Sequence, residues 1–110
     1  MTRTGLLDTG ATITAARPSV IDALKPIEIG EAEVTRSDGT AEWCPTYALQ
    51  IAFEPNTQPE HWWLEGQWFG LEVVKASPAN PGVDILIGRD LLSRVLFTWD
   101  GPKERFILSY

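Results

Sequence analysis

The chain has a single cysteine, Cys44, and a single histidine, His61, among 110 residues. One thiol cannot form an internal disulfide framework, and with one imidazole beside it a zinc site lacks ligands. No metal and no cofactor is expected. Basic residues are also scarce, 9 Lys and Arg against 15 Asp and Glu, for a formal net charge of -6. Nucleic acid and anionic membrane surfaces need clustered cations to displace their counterions, and the sequence holds no basic stripe, so neither is an expected partner. No apolar run approaches the roughly 18 residues of a membrane span. The first seven residues do not resemble the apolar region of a signal peptide, and a cytoplasmic setting is the expectation.

What the sequence has in quantity is turn residues, 9 Gly and 8 Pro, spaced so that most segments between them are too short for ordinary helices. An all-β domain is the resulting expectation. A hydrophobic content of 44% with 22% charged residues fits one globular unit over residues 1–110. Ala11 to Ala15 reads as an extended run, and "PSVIDAL", Pro18 to Leu24, as a short helix with Ser19 as its N-cap and Pro26 closing it. "IEIGEAEV" and "YALQIAF" alternate apolar with polar residues around a turn at Asp38-Gly39, which predicts a long hairpin. Glu54 to Gly66 reads as a loop, Trp68 to Ala76 as a strand, and "VDILIG" as a strand buried on both faces. Asp90 to Arg94 can form one or two helical turns, and Val95 to Tyr110 a second hairpin turning at Asp100-Gly101.

The stretch "GLLDTGATIT", Gly5 to Thr14, sets a carboxylate directly after two leucines and before a turn-forming Gly-containing segment. A charge at the edge of a dry interior is costly unless something holds it. Asp8 is therefore either a hydrogen-bonded turn residue or a group kept for chemistry.

Together "LLDTGAT" and "ILIGRDLL" resemble the retropepsin-like aspartic proteases. In that family an Asp-Thr/Ser-Gly loop is crossed by a later apolar-apolar-Gly strand that leads into a short helix, and Leu86, Ile87 and Gly88 match that strand. The similarity extends to the Pro18 to Leu24 helix, the Asp38-Gly39 hairpin and the C-terminal hairpin, and so spans most of the chain. It implies an all-β, single-lobe retropepsin-like acid protease barrel with one or two short helices. It also implies one or more strands before the catalytic loop. Only seven residues precede Asp8, so a natural start upstream of Met1 is expected.

The implied activity is an aspartic endopeptidase acting on polypeptide substrate, with Asp8, Thr9 and Gly10 as the catalytic loop. Such chemistry needs two carboxylates a few Å apart, which share one proton because like charges cannot both ionise there. The chain offers one. Asp38 and Asp100 fit better as hairpin turns, so the second carboxylate is expected from Asp8 of another copy, in a homodimer. The hairpin over about residues 33–47 resembles the family's flap, with Ser37, Asp38 and Gly39 at its tip; substrate contacts are implied for these and for Ala11, Thr12 and Ile87. Thr12 stands where retroviral members commonly carry an acid paired with the Arg matched by Arg89, so Arg89 needs another partner. Arg89 and Asp90 read as bracing residues, Cys44 as a small packing residue, and His61 as a surface residue. The rival reading is a catalytically inactive dimerisation or peptide-binding module, or an inactive truncated protease.

Overall fold

The computed structural model describes residues 1–36, 38–53 and 67–109. Its elements follow in the order β1 (Gly5–Leu7), β2 (Ala15–Ala16), α1 (Pro18–Leu24), β3 (Glu28–Thr35), β4 (Ala41–Ile51), β5 (Phe69–Lys75), β6 (Ile85–Ile87), α2 (Arg89–Leu92), β7 (Leu96–Asp100) and β8 (Arg105–Ser109). Six strands form one open sheet in the order β1-β6-β2-β5-β4-β3, and β7 and β8 form a separate two-stranded sheet. The β1–β6 and β2–β5 pairs are parallel; the β2–β6, β3–β4 and β4–β5 pairs are antiparallel.

The fold is therefore mixed α/β, not the all-β, single-lobe retropepsin-like acid protease barrel that the resemblance implies. Closing a barrel requires the two edge strands to pair along matched lengths. Here the edges are β1, with 3 residues, and β3, with 8, at opposite ends of the sheet. The parallel pairs are the second departure. Alternation in the sequence reports which face a strand buries and is blind to the direction of its neighbour.

Alternation along the central strands feeds a core on each face. Phe69, Leu71 and Val73 of β5, Ala16 of β2 and Ile87 of β6 pack with Val20 and Ile21 of α1, Leu91 and Leu92 of α2, and Leu108 of β8. On the opposite face Val74, Ala15 and Cys44 are joined by Ile13, Ala32, Val34 and Leu86. The short β6 thus contributes to both clusters, as expected for a strand buried on two sides. Cys44 is a packing residue, 6% exposed, and its burial pushes the thiol's pKa up.

Helix α1 occupies the expected Pro18 to Leu24, but its N-cap is Arg17 rather than Ser19, with Pro18 in the first turn and no side-chain cap. Proline suits that position because its missing N–H would be unpaired in any case. The helix ends at Lys25 in the left-handed conformation, just before Pro26. The run from Ala11 to Ala15 is mostly not a strand, since only Ala15 and Ala16 enter β2. Instead the Ala11 carbonyl accepts from the Arg89 N–H, and the Thr14 N–H donates to the Asp90 carboxylate.

The β3–β4 hairpin pairs from Glu28↔Tyr47 to Thr35↔Ala41 and turns at Asp38-Gly39, with Gly39 at φ +86°, a conformation glycine adopts without a Cβ penalty. The expected loop at 54–66, with His61, Trp62 and Trp63, lies outside the described residues. Among the described residues no helix is long and apolar enough to cross a membrane.

Candidate functional site

Strand β1 delivers Asp8 to its position by pairing in parallel with β6, Leu6 opposite Leu86 and Leu7 opposite Ile87. The ladder ends with the Asp8 N–H donating to the Ile87 carbonyl at 2.9 Å. The chain then turns on itself. The Ala11 N–H donates to the Asp8 carbonyl at 3.2 Å, and the Gly10 N–H donates to Asp8 Oδ1 at 2.9 Å. A Cβ on Gly10 would sit 3.2 Å from that same oxygen, so glycine lets the backbone close on the carboxylate. Asp8 is half-buried, and among the described residues its other carboxylate oxygen makes no hydrogen bond.

Beyond Gly10 the loop is clamped to the segment that follows β6. The Thr14 hydroxyl, fully buried, donates to Asp90 Oδ1 at 2.7 Å and accepts from the Gly88 N–H at 3.1 Å. Its backbone N–H donates to Asp90 Oδ2 at 3.0 Å, and the Leu91 N–H at 2.9 Å adds a donor to Oδ1. The Arg89 N–H donates to the Ala11 carbonyl at 2.8 Å. The Arg89 side chain, which lacks an acid at Thr12, bonds the Thr9 carbonyl at 3.3 Å.

Gly88 sits where the two segments cross. A Cβ there would lie 2.8 Å from both the carbon and the oxygen of the Ile13 carbonyl and 3.0 Å from the Ala11 oxygen, all backbone atoms with little room to yield. Gly88→Ala is expected to lower stability by about 1–3 kcal/mol, the usual cost of overpacking. That is a fall in melting temperature on the order of 5–20 °C for a domain of this size, measurable by thermal unfolding. An unchanged melting temperature would mean that the crossing is looser than described. Thr14→Val keeps the shape and removes the hydroxyl, leaving the buried Gly88 N–H unpaired. It should cost roughly 1–3 kcal/mol in denaturant unfolding, with Thr14→Ser much closer to the parent.

The structure thus brings Asp8, Gly10, Ala11 and Ile87 together and ties Thr9 in through its carbonyl. The Thr9 hydroxyl makes no hydrogen bond among the described residues. Thr14 and Asp90 hold the loop instead. In the sequence Thr14 is one member of a β-branched run and carries no signal that separates it from a strand residue.

The hairpin tip is organised by itself. Asp38 accepts from the Thr40 hydroxyl at 2.6 Å and the Thr40 N–H at 2.9 Å, and these bonds hold its pKa below the ordinary carboxylate value. Arg36 pairs with Glu42, which raises the arginine's pKa, and its N–H donates to the Thr40 carbonyl at 2.7 Å. Among the described residues no hydrogen bond joins Asp38 or Gly39 to the Asp8 loop, and Ser37 lies outside the described residues.

Beside the loop a shallow cleft of about 730 Å³ opens over the sheet, with Thr12, Ile13, Gln50, Glu72, Asp90 and Arg94 among its walls and Asp8 outside it. Among the described residues no group of three or more His, Cys, Asp and Glu is arranged to hold a metal ion. Compared with protein-family models, with curated proteins and with solved structures, the chain matches none.

Proposed function

We propose that the chain is an aspartic endopeptidase of the retropepsin type that works as a homodimer, with a water molecule activated between Asp8 of one copy and Asp8 of the other. What supports this reading is the clamp across Gly88. It holds a half-buried carboxylate at the end of a strand, with one oxygen fixed by the Gly10 N–H and the other left for a ligand. Asp90, by contrast, spends its acceptors on three donors. The reading needs the loop and a second copy, and it does not need a closed barrel.

In this mechanism one carboxylate takes a proton from water while the protonated partner gives one to the peptide carbonyl oxygen. Neither step is available to one chain alone. The substrate lies extended along Ala11 and Thr12, with Ile87 beneath them in the core rather than in contact with it, under a hairpin whose described tip contacts, within residues 36–42, leave it able to open as a lid. Incubation with a denatured protein from acidic to neutral pH, parent beside Asp8→Asn, tests the proposal. Equal cleavage by the two proteins overturns it, and no cleavage by a parent shown to be dimeric favours a non-catalytic peptide-binding module.

A further inference from the structure

The cleft over the sheet does not belong to the catalytic loop, yet it begins where the loop ends, at Thr12 and Ile13, four and five residues beyond Asp8. Its charged lining is uneven. The Asp90 carboxylate is engaged by three donors from Thr14 and Leu91. The Arg94 guanidinium donates to the Gly70 carbonyl at 2.9 Å, and among the described residues no ion pair joins it to Glu72 or Asp90. Among the described residues Glu72 accepts one hydrogen bond, from the Thr46 hydroxyl at 2.7 Å to Oε1, and it is exposed. Two carboxylates and one guanidinium leave the cleft with a net negative charge, within a chain of net charge -6.

The rest of the lining suits a long aliphatic stem. Ile13, Ile29 and Ala48 supply apolar wall, and at Gly70 an added Cβ would meet none of the described residues within 4 Å, so among them the floor there is bare backbone. Lysine and arginine combine such a stem with a cationic head. Gly30, outside the cleft, lies close to the Thr46–Glu72 pair. A Cβ there would stand 3.3 Å from the Thr46 hydroxyl and 3.7 Å from Glu72 Oε1, so its absence leaves that hydroxyl and carboxylate uncrowded.

We infer that this cleft is an extension of the substrate groove that takes a lysine or arginine side chain of the polypeptide substrate, and that Glu72 is the residue that selects it. The inference rests on the peptidase reading above and adds a position of specificity away from the scissile bond. Because each copy of a homodimer brings its own cleft, the preference falls at one fixed distance from the cleaved bond and on both sides of it.

The test uses a library of peptides with an apolar pair at the centre and randomised flanks, digested by the full chain and read by mass spectrometry. The parent is expected to enrich Lys and Arg at the fixed position by roughly two- to fivefold, the scale of a partly exposed ion pair. Glu72→Gln keeps an acceptor for Thr46 and removes the charge, and should flatten the enrichment at that position. Gly70→Leu fills the floor from a site where an added Cβ meets none of the described residues within 4 Å, and should flatten it as well. No basic enrichment in a parent that cleaves, or enrichment that survives Glu72→Gln, overturns the cleft proposal and leaves the peptidase reading standing. No cleavage by the parent above the Asp8→Asn background overturns the peptidase reading, and this proposal with it.

Discussion

Asp8→Asn should fold like the parent and lose peptide hydrolysis by a factor of roughly a hundred to ten thousand or more. The fold is spared because the bond that organises the loop uses an oxygen as acceptor from the Gly10 N–H, and an asparagine carbonyl oxygen can take its place. Hydrolysis is lost because an amide can neither take a proton from water nor hold one for the carbonyl oxygen. Mixing in an excess of Asp8→Asn should depress parental activity further than dilution does, since mixed dimers carry one carboxylate. Parental activity that is indifferent to added variant would show that a single chain holds the whole site.

The second large effect concerns the partner copy. Strand β7 exposes Leu96 and Trp99, at 58% and 60%, while its neighbour β8 anchors the sheet through Leu108, which is 2% exposed. Leu96 lies on the face opposite Leu108 and Trp99 on the same face as Leu108, so the hairpin offers a second copy one exposed apolar side chain on each face. The proposed Asp8 chemistry requires such a copy. Leu96→Glu combined with Trp99→Glu should weaken the dimer by roughly thirtyfold or more, the scale of losing a central apolar contact of about 2 kcal/mol. Sedimentation across concentration reads this directly, and activity should fall in parallel at low protein concentration. The melting temperature of the monomer should change little, because both side chains are exposed in the single chain. A double variant that sediments as the parent does would remove β7 from the interface.

The local elements were legible because each carries its cause within a few residues. Helix α1 is bounded by Pro18 and Pro26, and the β3–β4 hairpin turns at an Asp-Gly pair whose glycine takes the left-handed conformation. The apolar alternation of β5 predicts its burial, with Phe69, Leu71 and Val73 facing one core and Val74 the other. Asp8 could be singled out for the same reason, since a carboxylate after two leucines is a local conflict that something must resolve.

The direction of strand pairing and the openness of the sheet belong to the tertiary structure alone. Whether β1 meets β6 parallel, or whether edges of 3 and 8 residues ever close, depends on contacts about 80 residues apart that no periodicity records. The same holds for the clamp. Thr14 is chosen over Thr9 as the hydroxyl that secures the loop because it is the one brought against Gly88 and Asp90, 74 and 76 residues further along the chain. Sequence by itself determined which residues prefer to be buried, turned or charged, because those preferences act locally. Only the folded chain decided which of them meet, because a hydrogen bond between distant segments exists once the intervening chain has been packed to bring donor and acceptor within about 3 Å.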